Sequence, residues 1–95
     1  MLNVAVIGAG RIGQIHAGNI TAHAECRLSK VLDVYAPAAE ALAAKHGAEV
    51  ATLEAILNDA SIDMVAICSA TDTHADLIEA AARAGKAIFC EKPVD

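Results

Sequence analysis

Leu2-Asn3-Val4-Ala5-Val6-Ile7-Gly8-Ala9-Gly10-Arg11-Ile12-Gly13 opens the chain as an apolar run that breaks into three glycines. Six residues dominated by Val, Leu and Ile read as a strand buried on both faces. Gly8 permits a tight turn at its end, Gly10 leaves room for a ligand against the backbone, and Gly13 lets a helix pack closely on the strand. That helix is predicted over Arg11–Thr21. The backbone N–H groups of Arg11 and Ile12, with the positive end of the helix dipole, offer a site for an anion. A second strand, Arg27–Asp33, ends on an acid about 20 residues past the last glycine. A GxGxxG pattern alone is weak; strand, glycines, helix, strand and acid in this order make a dinucleotide-binding fingerprint. Gly8, Gly10, Arg11, Ile12 and Gly13 are the candidate pyrophosphate residues. The Asp33 carboxylate is the candidate acceptor for the hydroxyls of an adenosine ribose.

Asp33 also bears on the choice of cofactor. A 2′-phosphate would meet its negative charge, and Val34-Tyr35-Ala36-Pro37 supplies no Arg or Lys to neutralise one. NAD is therefore expected over NADP. Val34 or Tyr35 is a candidate to lie against the adenine, with a half-exposed loop position as the alternative for Tyr35.

Ninety-five residues make one domain, residues 1–95, with a small core. The hydrophobic content of 56% is mostly Ala, Val and Ile, with almost no aromatics, which suits a parallel sheet covered by helices. A net charge of −5 argues against nucleic acid or an anionic membrane surface as a partner. No apolar run approaches a membrane span, and no basic segment precedes the first strand. Cys26, Cys68 and Cys90 lack metal-ligand spacing, so no metal site is expected; they read as reduced thiols of a cytoplasmic protein. Cys68 and Cys90 fall near the ends of two neighbouring strands, where two packed thiols are preferred over a disulfide.

Further along, Pro37 suits the first turn of a second helix through His46, closed by Gly47. Ala48–Ala51 reads as a short third strand. Thr52 caps a third helix, Leu53–Asn58. Asp63–Cys68 is a fourth strand. A fourth helix is capped by Asp72 or Thr73, with Ile78, Ala81 and Ala82 as its apolar positions, and ends at Gly85. Lys86–Cys90 is a fifth strand. Right-handed crossovers then give an α/β, doubly wound parallel sheet in the order 3-2-1-4-5. That order brings the glycine loop, Asp33, Ser69–His74 and Glu91–Lys92 to one crevice at the carboxyl ends of the strands. Among the other histidines, His16 is read as helix packing, with a place facing the crevice as the alternative, His46 as a helix end and His23 as a loop residue.

Gly8–Gly13, the turn holding Thr71 and His74, and the closing Glu91-Lys92-Pro93 resemble, in combination, the Gfo/Idh/MocA family of nicotinamide-dependent oxidoreductases. Arg11–Ala17 and Thr71–Asp76 are most similar to its inositol 2-dehydrogenase branch. The resemblance runs over all 95 residues but covers only the front of such a protein. It implies an NAD-dependent oxidation of a secondary alcohol on a polyol or sugar, in a homo-oligomeric parent. Lys92 is implied as the catalytic lysine, touching the nicotinamide ribose and the substrate hydroxyl. His74 is implied at the nicotinamide side, and Glu91 as orienting Lys92 or meeting a ribose hydroxyl. Ser69, Ala70 and Thr71 complete the implied cofactor contacts.

The family's substrate domain, its proton acceptor and the sixth strand of its dinucleotide fold have no counterpart in these residues, so the chain is expected to be catalytically incompetent alone. Two other readings remain. One is a free-standing nucleotide-binding module, which would not need Glu91-Lys92-Pro93. The other is an S-adenosylmethionine-binding domain, against which the full glycine pattern and Lys92 weigh.

Overall fold

The computed structural model describes residues 1–68 and 74–90, without the side chain of residue 74. Its elements are β1 (Leu2–Ile7), α1 (Arg11–Ala22), β2 (Cys26–Leu32), α2 (Ala36–His46), β3 (Glu49–Val50), α3 (Leu53–Asn58), β4 (Met64–Ile67), α4 (His74–Arg83) and β5 (Ala87–Cys90). Among the described residues all pairings are parallel, and the strand order is β3-β2-β1-β4-β5, the order expected from the sequence.

Side chains alternate across a strand, so each central strand feeds two cores. Val4, Val6 and Ala66 join Leu28 and Val31 against Ala17 of α1 and Ala39, Leu42 and Ala43 of α2. Ala5, Ile7, Val65 and Ile67 point the other way, against Ile56 of α3 and Ala81 of α4. Such strands carry no polar face, which is why β1 and β4 read as continuous apolar runs. Full burial of a Val or Ile is worth roughly 1.5–3 kcal/mol. In α3, Ile56 is the one fully buried side chain. A six-residue helix does not persist alone, so this anchor holds it, with Thr52 Oγ1 accepting the Ala55 N–H at 3.1 Å.

The pleat alternation breaks once. Val4 pairs with Leu28 but Ala5 pairs with Lys30, so β2 carries one extra residue at Ser29. Without this bulge Leu28 and Val31 would face opposite sides; with it they share one core. Lys30 points out instead and bonds Glu49, its register partner on β3, at 3.1 Å.

Element ends shift by one or two residues: β2 stops at Leu32, leaving Asp33 just past it, β4 is Met64–Ile67 and α4 stops at Arg83; three further details differ from the sequence expectations. The third strand is only Glu49–Val50, both exposed, because a two-residue edge has little to pack on. In α4 the buried side chain is Ala81, with Leu77 packed on the same core; Ile78 and Ala82 are exposed. The i,i+4 pair Leu77/Ala81 faces the sheet, and the next residue round the helix turns away. Lys86 belongs to the turn before β5, where its Nζ donates to the carbonyls of Asp59 and Ile62 at 2.5 and 2.9 Å. The hydroxyl and N–H of Ser61 both donate to Asp59 Oδ1 and hold that carboxyl below its ordinary range.

Among the described residues β5 has a partner strand on one side only. Ala87-Ile88-Phe89-Cys90 is uncharged, and Phe89 is 40% exposed. An edge of this kind recruits other chains. The 95-residue chain is expected to self-associate as its concentration rises, and Phe89→Lys to reduce this. Light scattering across a concentration series decides it: a monomer throughout would show that the edge is protected.

Candidate dinucleotide site at the strand ends

Register alone aligns the carboxyl ends of four strands. Ile7 pairs with Leu32 on one side and Ile67 on the other, and Ile67 pairs with Cys90. The backbone ladder runs one step further. Gly8 N–H donates to Leu32 O at 2.7 Å, and Cys68 N–H to Ile7 O at 2.8 Å. Gly8, Asp33 and Cys68 thus stand side by side along one edge.

Gly8 turns the chain there with φ at 106°, a conformation costly for any side chain. Gly10 then serves as N-cap of α1 in extended conformation, with no side-chain capping bond and no acid in the first turn. The first helical bond runs from Gln14 N–H to Gly10 O at 2.9 Å. The amides of Arg11, Ile12 and Gly13 therefore precede any intrahelical acceptor, as at every helix start. Being uncapped, they can hold an anion. A Cβ at Gly10 would have nothing within 4 Å. A Cβ at Gly13 would lie 1.8 Å from Gly8 O. The two glycines thus have different jobs: Gly10 keeps an approach open, and Gly13 keeps the helix close.

The Asp33 carboxylate lies at the rim of this loop. Its Oδ2 accepts the Ala9 N–H at 2.5 Å and its Oδ1 the Tyr35 N–H at 2.8 Å. A carboxylate offers about four acceptor positions, so each oxygen retains capacity for a hydroxyl. Gln14 Nε2 donates to Ala9 O at 3.3 Å from the other side. The Ala9 contacts escape a sequence reading, because a backbone amide leaves no residue-type signal. Gln14, one turn beyond Gly10, is a signal that could have been found.

Arg11, Val34 and Tyr35 are exposed, and Val34 is fully so. Ser69, Ala70, Thr71, Glu91 and Lys92 lie outside the described residues. For His74 only its place at the start of α4 is described. His16 packs its ring edgewise on Phe89 of β5, with centroids 4.9 Å apart. His46 ends α2, and His23 follows α1 with its Nδ1 accepting the Glu25 N–H. The three cysteines are thiols. Cys68 packs with the α1–α2 core and Cys90 with the α3–α4 core, so the pleat directs the two away from each other. No group of three or more His, Cys, Asp and Glu residues suited to a metal ion occurs among the described residues. No helix there is long and apolar enough to cross a membrane.

A family model, Gfo/Idh/MocA, described as an oxidoreductase family of NAD-binding Rossmann fold, matches residues 2–95. An inositol 2-dehydrogenase of Rhizobium meliloti is 58% identical over 90 residues, covering 95% of this chain and 27% of that protein. The structure of a myo-inositol dehydrogenase from Corynebacterium glutamicum superposes with a TM-score of 0.91 at 41% identity, over 100% of this chain and 29% of that one. GenD2 from gentamicin A biosynthesis, solved in complex with NAD, gives a TM-score of 0.94 at 33% identity, over 97% of this chain and 27% of its own. The chain thus spans little more than a quarter of the length of these relatives.

The contrast between the two glycines is testable by denaturant unfolding. Gly13→Ala should cost about 3 kcal/mol or more, since its Cβ meets backbone that cannot swing aside. Gly10→Ala, at φ −75°, should be neutral or stabilising by up to about 1 kcal/mol, yet weaken NAD binding. Equal losses of stability in the two variants would refute the division of labour.

Proposed function

This chain belongs to the Gfo/Idh/MocA oxidoreductase family, of NAD-binding Rossmann fold, and from that premise we propose its place in catalysis. It is the cofactor-binding part of a dehydrogenase that oxidises a secondary alcohol of a polyol or sugar, of the myo-inositol kind, to a ketone. One observation carries the reading: an uncapped helix start and a carboxylate with spare acceptor capacity stand together at the carboxyl edge of a parallel sheet. The names of the relatives supply the substrate class.

In this reading the amides of Arg11, Ile12 and Gly13 hold the pyrophosphate, and Asp33 accepts the adenosine ribose hydroxyls. Val34 lies at the adenine. Ser69, Ala70, Thr71, His74 and Glu91 line the nicotinamide half. NAD, when bound, would supply the hydride acceptor for the alcohol carbon. The alcohol oxygen must release a proton as the ketone forms. Lys92 donates a hydrogen bond to that oxygen and stabilises the charge developing on it. The proton acceptor and the substrate pocket are assigned to the part of such proteins beyond this span. Three thiols fit a reducing compartment, the cytoplasm. The parent is assigned as a homo-oligomer acting on a small molecule.

Calorimetric titration should show NAD binding at least about tenfold more tightly than NADP. Equal or tighter NADP binding would overturn the cofactor assignment. The purified 95-residue chain should form no NADH from myo-inositol at any pH. In a full-length dehydrogenase carrying this domain, Lys92→Ala should lower kcat far more than it weakens NAD binding. A variant that lost only NAD affinity would place Lys92 outside the chemistry.

A further inference from the structure

We propose that Asp33 is a positioning residue for the glycine loop as well as the ribose acceptor. The inference rests on the cofactor site proposed above and adds a second task for the same carboxylate.

One peptide plane links the acid to the glycines. The Ala9 N–H and the Gly8 carbonyl belong to the same peptide group. In a trans peptide they point in opposite directions. Asp33 Oδ2 accepts that N–H at 2.5 Å, a charge-assisted bond to a residue only 2% exposed. Fixing the N–H toward β2 turns the Gly8 carbonyl the other way, toward α1. There it meets Gly13, where a Cβ would stand 1.8 Å from its oxygen. Gly8 can hold this orientation because its φ is 106°. Two glycines and the acid of the fingerprint therefore restrain a single peptide group.

The next peptide is held as well. Gln14 Nε2 donates to Ala9 O at 3.3 Å, which directs the Gly10 N–H away from the Gln14 side chain. Tyr35 N–H, bonded to Asp33 Oδ1 at 2.8 Å, keeps the carboxylate in the rotamer that reaches Ala9. Asp33 thus connects the ribose end of the site to its pyrophosphate end without touching the pyrophosphate.

The two roles predict opposite signs for one measurement. Consider 2′,3′-dideoxyadenosine 5′-diphosphate, which keeps the diphosphate and lacks both ribose hydroxyls. If Asp33 served only the hydroxyls, Asp33→Ala would leave its affinity unchanged or raise it, because a negative charge near the diphosphate is removed. If Asp33 positions the loop, the same variant binds it about tenfold more weakly. Asp33→Asn, which keeps one acceptor oxygen, should recover part of the loss. Amide exchange in the ligand-free chain gives an independent readout. The Ala9 N–H should exchange at least about tenfold faster in Asp33→Ala, while the amides of Val6 and Val65 keep their protection. Unchanged Ala9 exchange, or unchanged or tighter binding of the dideoxy ligand, overturns the proposal. Failure of the wild-type chain to bind NAD would overturn the proposed function instead, and the Ala9 exchange comparison would still decide the positioning role.

Discussion

The distance between α1 and the end of β1 governs this structure. The helix can descend onto the turn only because residue 13 has no side chain; any Cβ there would overlap the Gly8 carbonyl. That approach brings Ala17, one helical turn further on, into full burial with Val4, Val6 and Leu28. It also sets the uncapped start of α1 directly over the strand ends. A helix standing a few ångströms further out would leave a void in the α1–α2 core, and its free amides would no longer meet the rim that carries Asp33. Packing and ligand geometry are here one constraint, satisfied by the absence of one methyl group.

Much of this architecture is legible in the sequence because it rests on residue types. Gly8 and Gly47 mark positive-φ turns, Pro37 the first turn of α2, Thr52 a side-chain cap, and the acid after β2 a ligand group. The unbroken apolar runs of β1 and β4 announce a sheet covered on both sides. What was not legible depends on register. The pattern Arg27-Leu28-Ser29-Lys30-Val31-Leu32 does not alternate cleanly, and only the pairing with β1 shows that Ser29 is the extra residue. In α4, Leu77, Ile78, Ala81 and Ala82 are all apolar. Composition cannot say which pair turns inward; the placement of the helix over β4 and β5 decides it.

The candidate site divides in the same way. Asp33 and the three glycines were readable because chemistry demands those side chains, or their absence, at that spacing. The bond from the Ala9 amide was not, since any residue but proline supplies an N–H. Ala9 would pass for a spacer between two meaningful glycines. Yet its two backbone groups are the ones that Asp33 and Gln14 hold. The cysteines show the converse: register placed them near each other, and only the pleat, which assigns them to opposite cores, separates their thiols.

The bulge in β2 has a consequence for the end of the strand. Leu28 lies on the α1–α2 side of the sheet and Val31 lies there too, because Ser29 absorbs one residue between them. Remove that residue and ordinary alternation would still leave Leu28 and Val31 on that side and Leu32 on the other. The bulge acts as slack in the chain. The one extra residue is absorbed before the last three pairs of the ladder, so Lys30, Val31 and Leu32 meet Ala5, Val6 and Ile7 in unbroken register. The strand end therefore has its inward and outward positions set by pairing with β1, residue by residue from Ala5↔Lys30 to Ile7↔Leu32, and the acid follows directly after that paired segment.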